Sequence, residues 1–184
     1  PNKLTIAVLA VLLVLVILVV VILCMIFGGG SWKTPINNVM DVLNDGDGKA
    51  YEELMPPYYK DMADALDGII EISDEDFDEE AEKQRDRLTK KYGDDAEISY
   101  EVVKKTEVDS DDIDSYNDMS DLASVLSVKK AKKYKLTKAY KVKIKYTIEG
   151  EDADKTDKTT VIVGKMDGTW VLLDEGDLPI STGF

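Results

Sequence analysis

Leu4 to Phe27 is an apolar run of 24 residues, relieved only by Thr5 and Cys24. Such a run has no polar side to turn towards water, so it cannot be the amphipathic helix of an ordinary water-soluble core. Wound as an α-helix it spans about 36 Å, enough to cross a hydrocarbon layer of about 30 Å. The sequence therefore predicts a stub at 1–3, a transmembrane helix at 4–27, a linker at 28–33 and a folded domain over 34–184. A cleaved secretory signal has a shorter apolar core, about 7–15 residues, though Gly28-Gly29-Gly30 offers small residues for cleavage. Lipidation is disfavoured because Leu23 stands where a small residue should precede the modified Cys24. Lys3 and the amino terminus flank one end of the run and an acidic domain the other. The positive-inside rule then predicts a single-pass plasma-membrane protein, with its N-terminus cytoplasmic and its C-terminal domain extracellular. Trp32 fits an interfacial anchor, and Lys33 is a mild counter-signal. The chain opens on Pro1, which fits either removal of an initiator or a longer protein with more positive charge in the cytoplasm.

The net charge of −14 is unevenly placed. Lys3 is the single charge in residues 1–30, so the remaining 154 residues carry −15. A domain so acidic is repelled by nucleic acid, and no nucleic-acid partner is expected. The absence of histidine removes the commonest general base and transition-metal ligand. A lone cysteine rules out an intrachain disulfide and a cysteine-rich zinc site. With 21 lysines and 2 arginines, bidentate recognition of phosphate is nearly unrepresented. No cofactor and no metal are expected, and nothing in the sequence argues for a homo-oligomer.

From Thr34 the pattern is helical. Thr34 can cap a helix with Pro35 at its first position, and Ile36, Val39, Met40 and Leu43 recur on one face. Asn44 to Gly48 stop it. A second helix begins near Lys49 with Tyr51, Leu54 and Met55 on one side, and Pro56-Pro57 ends it. Pro57 can open a third, through Tyr58, Met62, Ala65, Leu66 and Ile69. Ser73 and Asp76 suggest a capping box for a fourth, with Ile72 and Phe77 as a hydrophobic staple; Ala81, Leu88 and Tyr92 continue it and Gly93 stops it.

The second half changes to a period of two. Ile98, Tyr100 and Val102 alternate with polar residues. The aspartate-rich segment from Asp109 to Asp121 predicts a short helix or a loop. The strongest strand follows, with Tyr140, Val142, Ile144, Tyr146 and Ile148 on one face and Lys141, Lys143 and Lys145 on the other. Thr159 to Val163 and Trp170 to Leu173 form a hairpin about Asp167-Gly168. Helices followed by an antiparallel meander define an α+β domain.

Helix, "LNDGD", helix, an "LMPP" break, a third helix and strands ending in "VGKMDGTWVLLDEG" resemble the nuclear-transport-factor-2-like (cystatin-like) α+β roll. The likeness is to its uncharacterised envelope-anchored forms in Gram-positive bacteria and covers about residues 33–178. The resemblance implies a helical half packed on a curved antiparallel sheet that closes into a cone. The family includes ketosteroid isomerase and many non-catalytic modules. No catalytic motif of its enzymes maps onto residues of this chain.

"NDGDG" at 44–48 looks at first like a calcium loop. With Gly48 in the sixth position of an EF-hand loop, positions 1 and 12 are Leu43 and Leu54; with Gly46 there, position 3 is Leu43. An interhelix turn explains it better, with glycines in left-handed conformations and Asp47 as a cap. The acidic runs Glu71–Glu82 and Asp109–Asp121 read as solvated surface, with weak divalent-cation binding as the alternative. Nine lysines lie between 129 and 145, including Lys129, Lys133, Lys135, Lys141, Lys143 and Lys145. They read as a solubilised outer sheet face, as edge protection, or as a patch for anionic wall polymer or lipid headgroups. Tyr51, Tyr58, Tyr100, Tyr140, Tyr146 and Trp170 are candidates to line a cone cavity; beside a buried carboxylate, tyrosines can form an isomerase-type site.

The expected function is a membrane-anchored, extracytoplasmic, non-catalytic binding or interaction module of the cell envelope, partnered by an envelope protein or anionic polymer. The alternatives are a small-molecule binder or isomerase-like enzyme using the cavity, and a wall-polymer or headgroup binder using the lysines.

Overall fold

The computed structural model describes residues 30–58, 74–120 and 134–181. The chain divides into two compact units, Pro1–Ser31 and Trp32–Phe184. The predicted transmembrane helix at 4–27 lies outside the described residues, and among those described no helix is long and apolar enough to cross a membrane.

The second unit is α+β. Helix α1 runs Thr34–Asp45. Its N-cap is Lys33, with no side-chain cap bond, so Thr34 is the first helical residue rather than the expected cap. Ile36, Val39, Val42 and Leu43 are fully buried. Gly46, at φ 65°, closes the helix by donating its N–H to the Val42 carbonyl at 2.9 Å. That left-handed cap is the conformation glycine adopts without steric cost.

Asp47 then caps α2, Gly48–Leu54, by accepting from the Ala50 N–H at 3.0 Å. Helix α2 stops at Met55, whose extended backbone (ψ 135°) is what the following Pro56 demands. Pro57 and Tyr58 begin a further helical stretch, and the predicted continuation to Ile69 lies outside the described residues.

Helix α3, Asp74–Tyr92, buries a stripe of Ala81, Gln84, Leu88 and Tyr92. The predicted cap and staple residues Ser73 and Ile72 lie outside the described residues. The opening turn of α2 sits directly on α3: a Cβ on Gly48 would lie 2.7 Å from the Asp78 Cα. Gly48 is therefore a close-approach residue, and "NDGDG" is the packed corner between three helices.

The sheet is a four-stranded antiparallel meander in the order β1-β2-β3-β4: β1 Glu97–Glu107, β2 Leu136–Glu149, β3 Lys155–Met166 and β4 Thr169–Asp174. On β2, Val142, Ile144, Tyr146 and Ile148 are fully buried, while Lys141 and Lys143 are exposed. Asp167 (φ 48°) and Gly168 (φ 82°) join β3 to β4, the paired left-handed conformations of a two-residue hairpin turn. Strand β2 is longer than predicted at its start, and β1 runs to Glu107 with a bulge at Val103. Helix α4, Ser110–Ser120, is the helical outcome of the segment read as helix or loop. Asp109 caps it, accepting from the Asp112 N–H at 2.9 Å.

Three side-chain amides extend the pairing where strands run out. Asn117 accepts from the Leu136 N–H at 2.8 Å and donates to its carbonyl at 3.0 Å, beside β2 past the end of β1. Asn44 does the same for Ile98, at 2.8 and 3.0 Å. Gln84, 1% exposed, does it for Ser181, at 3.2 and 3.1 Å. Each amide carries a donor and an acceptor side by side, the pair a neighbouring strand would present. The last clamp fixes the C-terminal segment, which buries Leu178 and Ile180 against the main core.

Candidate functional site

Among the described residues, the space between helices and sheet is filled by side chains. Ile36, Val39, Leu43, Tyr51, Leu54, Val142, Ile144, Tyr146, Val161, Val163, Leu172, Leu178 and Ile180 form one buried cluster. Of the candidate cavity residues, Tyr51 (5% exposed) and Tyr146 (0%) belong to that core. Tyr146 donates to the Asp177 carbonyl at 3.3 Å and accepts from Lys155 Nζ at 2.7 Å. Hydrogen bonding to Tyr146 raises Lys155 above the ordinary lysine value. Tyr100 packs at the core margin and donates to Asn37 Oδ1 at 2.7 Å; burial raises its pKa.

Tyr58 lies elsewhere, in a smaller cluster with Tyr134, Tyr116, Met166, Val171 and Leu173. Its ring meets Tyr134 edge-on at 6.0 Å. Burial raises the pKa of Tyr58; burial and then Tyr58 itself raise that of Tyr116. The tyrosines are thus divided among three places and do not converge on one point.

Among the described residues, the buried polar side chains are Asn38, Gln84, Asn117 and Thr159, and none is a carboxylate. A pocket of about 270 Å³ lies between α2 and α3, lined by Gly48, Lys49, Glu52, Phe77 and Asp78. It is below the usual 300–1,000 Å³ of ligand sites and away from the tyrosines. The Asp41 pKa is raised, first by desolvation and then by Asp45 and Asp47. Among the described residues no group of three or more Cys, Asp or Glu is placed to hold a metal ion.

Lys129 and Lys133 lie outside the described residues. Lys135 is exposed just before β2. Lys141, Lys143 and Lys145 stand on the sheet face opposite the core, on a strand hydrogen-bonded on both sides. That position makes the stripe a face feature, since β1 and β4 are the edges. Part of its charge is compensated: Lys141 meets Asp112 at 3.5 Å and Lys145 meets Glu101 at 3.9 Å. Lys143 has Lys104 and Thr160 as its cross-strand neighbours.

A different cationic feature forms where the domain begins. Tyr140 and Trp170 stack at 5.3 Å with planes 14° apart, and Trp32 meets Tyr140 edge-on at 6.3 Å. All three are half-buried. Lys105 Nζ lies 4.2 Å from the Tyr140 ring centre and 5.0 Å from that of Trp32; Lys138 lies 5.3 Å from Tyr140 and Lys33 5.6 Å from Trp32. Hydrogen bonds to Tyr140 and then to Glu107 raise the Lys138 pKa. The cross-strand partner of Trp170 is Lys165. Sequence reading noted Trp32, Tyr140 and Trp170 separately and passed over Lys105. Its signal was position: Lys105 pairs with Val142, one side chain along the same face from Tyr140.

In comparisons with protein-family models, curated proteins and solved structures, nothing matches the chain. The geometry above therefore stands without a relative to lend it a role. Its chemistry is that of an aromatic and cationic surface on a filled core.

Proposed function

We propose that this chain is a single-pass membrane protein whose extracytoplasmic domain is a non-catalytic binding or interaction module of the cell envelope. The observation that carries this reading is the filled interior among the described residues: of the side chains expected to line a cavity, Tyr51 and Tyr146 are packed in the core, and Tyr58, Tyr100, Tyr140 and Trp170 lie in other places. Function then falls to the outer surface. Support for the anchor is the 24-residue apolar run, which has the length a bilayer requires. The domain suits the nuclear-transport-factor-2-like roll in having helices packed on a four-stranded antiparallel meander.

The isomerase-like alternative needs a carboxylate among converging tyrosines, and no observation among the described residues favours it. The reading as a binder of anionic headgroups or wall polymer has one observation in its favour, Lys33, Lys105 and Lys138 gathered on the rings of Trp32 and Tyr140.

The test is ligand-dependent stabilisation of the full chain in detergent, using steroid-sized apolar probes and their hydroxylated analogues. A filled core predicts no saturable rise in melting temperature. A saturable rise that Val161→Trp abolishes, with the fold retained, would restore the cavity reading.

A further inference from the structure

We infer that the Trp32–Tyr140–Trp170 platform, with Lys33, Lys105, Lys138 and Lys165, docks the domain onto an anionic phospholipid surface. The inference rests on residues 4–27 spanning a bilayer. Five Cα steps separate Phe27 from Trp32, a reach of at most about 18 Å even when fully extended. Whatever the domain's tumbling, Trp32 therefore stays close to the headgroups, and the platform built on Trp32 stays with it.

The chemistry matches that location. Tryptophan and tyrosine concentrate at the water–lipid boundary because each has an apolar body and a polar tip. Lysines near an anionic leaflet each favour the bound state by about fivefold. Lys33, Lys105 and Lys138 lie over the platform rings and Lys165 is the cross-strand partner of Trp170, with Glu107 meeting Lys138 at 3.1 Å, although residues 31–184 are strongly acidic as a whole. The arrangement fits lipid better than a sugar polymer. A sugar ring stacks on an open aromatic face, whereas here Tyr140 is stacked on Trp170 and overlaid by Lys105.

The two tryptophans of the chain are both in the platform, which supplies the reporter. Trp32→Tyr keeps an aromatic ring with a polar tip in the platform and leaves Trp170 as the sole tryptophan of the full chain, excited beyond the tyrosine absorption band after reconstitution into phosphatidylcholine vesicles with or without phosphatidylglycerol. A headgroup spin-labelled lipid should quench Trp170 in the anionic vesicles and much less in neutral ones. Raising salt from about 0.05 M to about 0.5 M should release it. Lys105→Glu reverses one charge on an exposed strand and should lower the docked-to-free ratio about 10-fold or more. The salt series needs no charge variant, so it decides the matter if that variant folds poorly.

Trp170 unquenched in anionic vesicles, or quenched alike in neutral ones and insensitive to salt, would overturn the inference. So would an emission shift produced by soluble poly(glycerol phosphate) without lipid quenching, which would assign the platform to wall polymer. Flotation with vesicles after alkaline, high-salt washing separates the two levels. Loss of flotation removes the anchor and the docking together; flotation without quenching removes the docking alone.

Discussion

Replacing Asn117 tests how this domain finishes its sheet. Its amide is 8% exposed and makes two hydrogen bonds to the backbone of Leu136, at 2.8 and 3.0 Å. Each is worth about 1 kcal/mol net, and a buried backbone group left without a partner costs about 1–3 kcal/mol. Asn117→Ala should therefore cost about 2–4 kcal/mol, a large share of the 5–15 kcal/mol typical of a domain. Asn117→Asp is the sharper probe. It keeps the acceptor for the Leu136 N–H and replaces the donor with a carboxylate facing a carbonyl. The folded-state pKa of that Asp must then lie above its unfolded value of about 3.9, because only the protonated acid can donate. A raised folded pKa means that the unfolded state loses its proton first, so stability falls as pH rises from about 4 towards neutrality. The assay is denaturant unfolding of the full chain in detergent, followed by tryptophan fluorescence at acid and neutral pH. The deficit of Asn117→Asp against the parent should be smaller at the acid end. A loss below about 1 kcal/mol for Asn117→Ala, or a deficit for Asn117→Asp that does not change with pH, would refute the strand-mimic account.

Three further outcomes follow from packing and charge. Gly48→Ala should destabilise by about 1–3 kcal/mol or more, as overpacking does, because its Cβ would press on the Asp78 backbone; a denaturant midpoint within error of the parent would contradict the close approach. Lys141→Ala and Lys145→Ala should each change stability by less than about 1 kcal/mol, since both bridges are exposed; paired unfolding curves check this. Above about pH 10 the domain should lose stability steeply. Burial raises the pKa of Tyr58, Tyr100 and Tyr116, and the Tyr146 hydrogen bond raises that of Lys155. Each group holds its proton to higher pH when folded, so its contribution is complete below the unfolded pKa and lost as pH rises through the folded one. Tyr58→Phe with Tyr116→Phe should flatten that alkaline limb, read as melting temperature against pH.

The legible part of this fold was the part governed by period and punctuation. The β2 alternation from Tyr140 to Ile148 announced its own buried face, and Asp167-Gly168 announced the last hairpin. Gly46 and Asp47 behaved as a stop and a start because their local chemistry allows little else. The amide clamps were illegible. Asn44, Gln84 and Asn117 look like surface polar residues until the backbone each meets, 54, 97 and 19 residues away, is in place. The aromatic–lysine platform was hidden for the same reason. Trp32, Lys105, Tyr140 and Trp170 come from four separate segments, and no periodicity links them. The lysine stripe was visible, but not its acidic partners, since Asp112 and Glu101 lie on other elements.

The central claim is that one membrane span places this domain outside the cell, where its surface does the work. Its most direct test is labelling of the full chain in intact Gram-positive cells with a membrane-impermeant maleimide. Cys24 is first replaced by Ala, and a single cysteine is introduced at Lys3 or at exposed Asp152. The account predicts labelling of Asp152→Cys in intact cells, and of Lys3→Cys only after lysis, with both proteins in the membrane fraction. Labelling of Lys3→Cys alone in intact cells, or recovery of the chain free of membranes, would contradict it.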